Sequence, residues 1–234
     1  MSDGQHPLAS LTLTHVHYNP RDPLSYLAAW LALVPQALCV VYVSIIWASR
    51  EVEVLLMFAG QMGCEALNFG LKRWIREERP KQMFGKGYGM PSSHSQFVAF
   101  FSLYLALFLV RRQVLSPSAA HYYAVIERVI VSILAGVAAA AVSVSRIYLN
   151  YHTPRQVLAG SVAGFVFAVL WFGVTAYLRH FGWIDWVLDW ELARMARLRD
   201  LLVSEDLVEA GWQQWNRRRE RKRQKEADAS RKLT

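Results

Sequence analysis

Cysteine is almost absent from this chain. Cys39 and Cys64 are the only two, and both stand inside apolar runs, where a thiol behaves as a small hydrophobe. That excludes a disulfide framework. Charge is also scarce: 19% of residues are charged against 54% hydrophobic, too apolar for an ordinary soluble domain and too charged for a chain that lies in the bilayer throughout. Residues 1–23 are polar and mixed and lack a basic stretch leading into a short apolar core with a cleavage site. A removable signal peptide is therefore not expected, and targeting falls to the first span. There is no repeat of fixed period and no low-complexity segment apart from a basic tail.

Long apolar runs, by contrast, are plentiful. Five stretches, roughly 24–48, 52–71, 96–110, 126–144 and 157–178, can each cross a hydrocarbon core as a helix. A sixth, 183–215, carries Trp183, Trp186 and Trp190 near its start and then mixes Leu with Arg, Asp and Glu, the pattern of an interfacial or cytosolic amphipathic helix. The expected fold is an all-α polytopic membrane bundle of about five spans plus that helix. Residues 1–23 form a polar N-terminal segment, 24–178 the membrane domain, and 179–234 the amphipathic helix and basic tail. The net charge is +8, most of it carried by residues 212–234. Beside membrane spans, such a run reads as a cytosolic flank with affinity for anionic lipid, not as a nucleic-acid site. The N-terminal His6, His15 and His17 have no coordination spacing and are expected to be solvated.

Three polar clusters stand at the ends of the spans. Lys72, Arg73, Arg76, Arg79 and Pro80, with Lys81 and Lys86, follow the second; Pro91-Ser92-Ser93-His94 precedes the third; Ser145-Arg146 through His152 to Gln156 joins the fourth and fifth. Connectivity puts all three on one membrane face. The basic tail and Arg111-Arg112 mark the other face as cytosolic, so the first cluster sits on the wrong side for the positive-inside tendency. Each cluster alone has a bland reading, as snorkelling anchors, an ordinary N-cap, or a helix-end Arg with a loop His. Three together on one face argue for one shared anion site, because ionisable groups at membrane depth are costly and usually functional.

The residue types suit phosphate. On a continuous helix Lys72 and Arg79 lie two turns apart on one face, a point charge and a planar fork that can address one ligand. Ser92 or Ser93 can cap the third span, whose first backbone N–H groups form a ready anion site. His94 can donate a proton to a leaving oxygen. Arg146 can clamp phosphate oxygens, and neutral His152 offers a ring nitrogen as nucleophile. Gln156, one helical turn on, can hold the other ring nitrogen. None of the clusters contains a His/Cys/Asp set at metal-ligand spacing, so no metal and no cofactor are expected.

The spacing Lys72 through Arg79-Pro80, then Pro91-Ser92-Ser93-His94, then Ser145-Arg146 through His152 to position 156, resembles the signature of the type-2 phosphatidic acid phosphatase superfamily, membrane phosphatases related to vanadium haloperoxidases. Ser93 replaces that family's usual Gly and Gln156 its usual Asp. The stretch Ser-Arg-Ile-Tyr-Leu-Asn-Tyr-His-Thr-Pro-Arg-Gln-Val is similar to the dolichyl diphosphate phosphatase branch, in which Gln at the last motif position is expected. The resemblance implies a metal-independent reaction with His152 as nucleophile and His94 as acid. Lys72, Arg79, Arg146, Ser92 and Ser93 would hold the phosphoryl oxygens of a polyisoprenyl diphosphate lipid. A neutral amide at 156 orients an imidazole but lends it no charge. A nearby acid, Glu77 or Glu78, is then the candidate to supply it, and the sequence places neither.

Two further readings stand beside this one. The same chemistry would serve a broader lipid phosphate or polyprenyl diphosphate phosphatase. A non-catalytic membrane adaptor would instead work through the region after Trp183, and cutting after Leu178 is expected to separate it from an enzyme. The terminal Arg231-Lys232 pair is similar to cytosolic retrieval signals of endoplasmic reticulum membrane proteins, which implies a cytosolic C-terminus and a lumenal site.

Overall fold

The computed structural model describes residues 9–11, 16–80, 87–113, 121–205 and 207–233. Five helical stretches in it are long and apolar enough to cross a membrane: Pro23–Ser49, Val52–Ile75, Ser93–Arg112, Val125–Tyr148 and Pro154–His180. They coincide with the five apolar runs, lengthened at the polar ends. The first is two helices, α1 (Pro23–Leu31) and α2 (Val34–Ser49), broken at Ala32 and Leu33 where Pro35 enters the first turn of α2. Next come α3 (Val52–Ile75), α4 (Ser93–Leu107) extended by a π-helical turn at Phe108–Arg112, α5 (His121–Tyr148) and α6 (Pro154–His180).

Helix α4 is the centre of the bundle, packed by α3, α5 and α6. Its contact with α6 is backbone to backbone. A Cβ on Gly160 would stand 2.5 Å from the Ser92 carbonyl oxygen, and one on Gly164 2.3 Å from that of Gln96. Two glycines four residues apart share one helix face, and in lipid, where no hydrophobic effect pulls helices together, such close approach is a main source of packing. Buried amides add to it: Asn68 Nδ2 donates to Gln96 Oε1 at 2.7 Å, and Gln96 Nε2 donates to the Cys64 carbonyl at 2.9 Å, tying α3 to α4. The first turns of α4 and α6 are thereby held side by side. That proximity sets the spacing between the second and third clusters.

The opposite end of the bundle is closed by buried charges. Glu53, in the first turn of α3, accepts from Arg112 Nη1 at 2.6 Å and from Arg179 Nη2 at 2.6 Å, while Arg179 also pairs with Asp200. Arg112 reaches on to Thr175 Oγ1 at 2.8 Å and the Phe172 carbonyl at 3.0 Å. Arg112, read from the sequence as a topological flank, is thus a structural residue as well. Glu53→Gln would leave Arg112 with no carboxylate and Arg179 with Asp200 alone, in a site where Glu53's own side chain is 3% exposed. It should cost about 3–5 kcal/mol, read as a lowered unfolding midpoint of the detergent-solubilised protein.

Two expectations are corrected here. Residues 183–215 are not one amphipathic helix. They form α7 (Trp183–Leu188), α8 (Glu191–Met195), a non-helical link and the start of α9 (Leu207–Leu233), which carries the basic run. The link leaves the helical path at Arg197, in the left-handed region (φ 56°), because its backbone is claimed elsewhere. Arg199 exchanges hydrogen bonds with Arg50 and Val52, and the buried Glu51 carboxylate accepts the N–H groups of Leu201 and Leu202. Trp183, Trp186 and Trp190 stack edge to face and stay exposed, as interfacial aromatics do.

The second correction is at the N-terminus. The fold is the expected all-α bundle, and one short antiparallel strand pair precedes it in the segment read as a polar lead-in. Strands β1 (Ala9–Leu11) and β2 (Val16–Tyr18) pair antiparallel, and His17 is half-buried in β2 where full solvation was expected. His6, His15, Lys81 and Lys86 lie outside the described residues.

Candidate active site

The three clusters converge. Arg79, Ser93, His94, Arg146 and His152 line one cavity of about 140 Å³ with Val16, Ala32, Gln36 and Tyr151. That is close to the roughly 150 Å³ that encloses a benzene ring, so it suits one compact group and not a lipid. A larger groove of about 640 Å³ between α3 and α6, lined by Leu67, Leu158, Val162 and Leu170 among others, shares no residue with it.

Each side chain arrives by a local device. Helix α3 stops at Arg76, which takes the left-handed conformation (φ 55°) as C-cap, its N–H donating to the Lys72 carbonyl at 3.0 Å. Lys72 and Arg79 therefore do not share a helix face, as a continuous helix would require. Arg79 reaches the cavity from the loop, while Lys72, in the last turn of α3, stays off the cavity wall and adds its charge to the field of Arg79 and Arg146. Ser92 is the N-cap of α4 but is fully buried, its Oγ accepting from Ser95 Oγ at 3.1 Å and its N–H bound to the Gln156 carbonyl. Of the two serines, Ser93 alone lines the cavity.

The turn after α5 sets Arg146 beside His152. Asn150 adopts the left-handed conformation (φ 56°), which folds the chain back so that the N–H groups of Tyr151 and His152 both bind the Arg146 carbonyl, at 3.0 and 3.2 Å. The Arg146 guanidinium lies 4.2 Å from the centre of the Tyr151 ring. Its side chain is buried, and Nε and Nη1 have no hydrogen-bond partner among the described residues. Buried donors of that kind need an explanation, and an anionic ligand provides one.

His152 is held by its Nδ1, 3.2 Å from Gln156 Oε1. The Gln156 amide cannot be turned round, because Nε2 faces two acceptors, Glu77 Oε1 and the Glu78 carbonyl, each at 2.9 Å. Oε1 is therefore the acceptor, Nδ1 carries the ring proton, and Nε2 of His152 keeps its lone pair. Burial, and then the charges of Arg79 and Arg146, push the His152 pKa down to about 3 against the opposing hydrogen bond to Gln156. At pH 5 the ring should still be neutral, where an unperturbed histidine is almost fully protonated. Side-chain nitrogen chemical shifts of histidine-labelled protein check this directly. His94 is oriented differently: its Nε2 lies 3.1 Å from the Ala32 carbonyl oxygen, so Nε2 carries a proton and Nδ1 is the atom left for a ligand.

Of the residues read from the sequence, Arg79, Ser93, His94, Arg146 and His152 line the cavity, Gln156 stands behind His152, and Lys72 and Ser92 are not on its wall; the rest of that wall was not read. Val16 reaches the cavity from β2, and Tyr151 is fixed there by its hydroxyl, which accepts the His17 N–H at 2.8 Å. The alternation in Ser10-Leu-Thr-Leu-Thr-His-Val16 was the available signal for a strand. Nothing in the residue types announces the Ala32 carbonyl. Among the described residues no three His, Cys, Asp or Glu side chains converge on a metal position.

The PAP2 superfamily profile matches residues 53–180, more than half of the chain. A putative dolichyldiphosphatase of Neurospora crassa is 46% identical, over 97% of this chain and 98% of its own. Human dolichyldiphosphatase 1 is 39% identical over 73% of this chain and 75% of its own, and the Saccharomyces cerevisiae dolichyldiphosphatase 31% over 88% of each. Among solved structures, a transmembrane PAP2 type phosphatidylglycerolphosphate phosphatase from Bacillus subtilis superposes with a TM-score of 0.56 at 25% identity, covering 68% of this chain and 79% of that one.

Proposed function

The chain belongs to the PAP2 superfamily, and from that premise we propose that it hydrolyses dolichyl diphosphate to dolichyl monophosphate and inorganic phosphate through a phosphohistidine. The observation that carries this reading is His152, its Nδ1 bonded to Gln156, facing one small cavity with Arg79 and Arg146. Nε2 of His152 attacks the terminal phosphorus, the bond from phosphorus to the bridging oxygen breaks, and His94 delivers a proton through Nδ1 to that oxygen as dolichyl monophosphate leaves. The proton that His94 needs arrives with an anionic substrate, whose charge offsets the surrounding cations. Water then attacks the phosphohistidine, giving its proton to His94, and inorganic phosphate departs.

Transition-state charge on the three equatorial oxygens is met by Arg146 and Arg79, by Lys72 at longer range, and by the Ser93 hydroxyl and first N–H groups of α4. No step calls for a metal. The cavity's size limits it to the phosphoryl group, so the polyisoprenyl chain lies along the spans, within the bilayer. The basic α9 and the five spans support a membrane protein with a lumenal site and a cytosolic C-terminal side, and a dolichyl diphosphate substrate is in keeping with an endoplasmic reticulum membrane. There it would return the carrier lipid released by protein N-glycosylation.

The test is phosphate release by purified detergent-solubilised protein from dolichyl diphosphate, with EDTA present, against dolichyl monophosphate and phosphatidate. Release from the diphosphate in clear preference, with dolichyl monophosphate as product, is the expected result. Preferred turnover of phosphatidate would replace the substrate, and no release from any of the three would remove the enzymatic reading.

A further inference from the structure

Gln156 makes a connection that its position in the third cluster does not require. Its Oε1 takes His152 Nδ1 at 3.2 Å, while its Nε2 gives a hydrogen bond to the Glu77 carboxylate at 2.9 Å. The amide is fully buried and clamped on every side. The Thr153 N–H donates to the same Oε1 at 3.2 Å, the Glu78 carbonyl accepts from Nε2, and a Cβ on Gly89 would stand 2.7 Å from Nε2, so only glycine leaves room. Gly89 in turn is fixed by its N–H, which donates to the Glu77 carbonyl at 2.7 Å. Three chain segments thus converge to set a single amide between an imidazole and a carboxylate.

From this geometry we infer that Glu77 is a positioning residue for His152, supplying through the Gln156 amide the negative charge that no carboxylate provides directly. The inference rests on the proposed role of His152 as nucleophile. An amide is strongly polarisable along its O–C–N axis. A carboxylate accepting from its N–H₂ raises the electron density on its oxygen, and hydrogen bonds in such a chain strengthen one another, the more so away from water. The polarised Oε1 holds Nδ1–H more firmly and favours the positive charge that the ring acquires once Nε2 is bonded to phosphorus. The arrangement also separates the carboxylate from the incoming phosphate by one side chain, which lowers the repulsion that an acid directly on His152 would exert on an anionic substrate.

The role predicts a charge-swap experiment. Glu77→Gln keeps the shape and an acceptor oxygen for Gln156 but removes the charge. It should cut kcat on dolichyl diphosphate about tenfold with KM little changed, because the charge reaches His152 only through the Gln156 amide. Gln156→Glu alone sets two carboxylates against each other and should be at least as damaging. The double variant Glu77→Gln/Gln156→Glu restores a donor facing a carboxylate but leaves the outer carboxylate oxygen against the Glu78 carbonyl, so kcat should recover in part, to about threefold above Gln156→Glu alone.

A readout independent of turnover is the His152 Nδ1–H proton resonance in the substrate-free protein, which Glu77→Gln should move upfield as the hydrogen bond weakens. Wild-type kcat in Glu77→Gln, or no recovery in a folded double variant, overturns the inference. So does an unmoved resonance. If the wild-type protein leaves dolichyl diphosphate intact while the resonance responds as stated, the substrate assignment fails and the Glu77 connection stands.

Discussion

His152→Ala should lower kcat on dolichyl diphosphate by about 10⁴-fold, the loss expected when the nucleophile of a covalent mechanism is removed from an otherwise intact site. Arg79 and Arg146 would still bind a phosphoryl group, so substrate binding should survive better than turnover. The protein should also remain folded. His152 sits in the turn between α5 and α6, and its side chain takes no part in the glycine contact, the Asn68–Gln96 bond or the charge cluster that hold the helices together. Rapid quenching under alkaline conditions should trap a phosphorylated protein from wild type and none from the variant. A variant that turns over at the wild-type rate, or one that still becomes phosphorylated, would move the nucleophile elsewhere.

Arg146→Lys is the second large effect, expected at about 100-fold in kcat/KM. The positive charge is kept and the geometry is lost. The Arg146 guanidinium lies against the Tyr151 ring at 4.2 Å with Nε and Nη1 buried, a planar fork held flat by an aromatic face. A lysine ammonium is a single compact charge at the end of a flexible chain and cannot address two oxygens in one plane. Because these contacts tighten as charge builds up on the phosphoryl oxygens, kcat should fall more than KM rises. Equal losses of a twofold order in both constants would show that Arg146 contributes only charge, and the cavity would then need another clamp.

The parts of this site that could be read from the sequence are those written in residue identity at fixed spacing. Long apolar runs gave the five spans because bilayer thickness imposes a length that little else in a chain requires. The histidines and cations at their ends stood out because each is costly there. What escaped was conformational. A left-handed Arg76 takes Arg79 off the helix, and no residue type forecasts that a positively charged side chain rather than glycine will cap α3. Ser92 and Ser93 are neighbours whose side chains diverge at the first helical position, so only coordinates separate the buried one from the one on the cavity wall. The Ala32 carbonyl that orients His94 is backbone, and β2 comes from a segment that composition alone classes as polar. Glu77 stood beside Glu78 as a candidate acid that the sequence could not place, since its distance from Gln156 in sequence carries no information about its distance in space.

The charge cluster at the far end also redraws where this enzyme ends. The conserved-domain match stops at residue 180, and a cut at the end of the last apolar run, after Leu178, is the natural choice for isolating the membrane part. It would delete both Arg179 and Asp200, strip Glu51 of the Leu201 and Leu202 amides, and leave Glu53 with Arg112 alone. Loss of activity in such a shortened protein would therefore report a broken foundation and say nothing of whether the tail takes part in catalysis or recruits a partner. Contacts with the bundle run on to Leu202, and a cut between there and α9 is the one that asks a clean question of the basic helix.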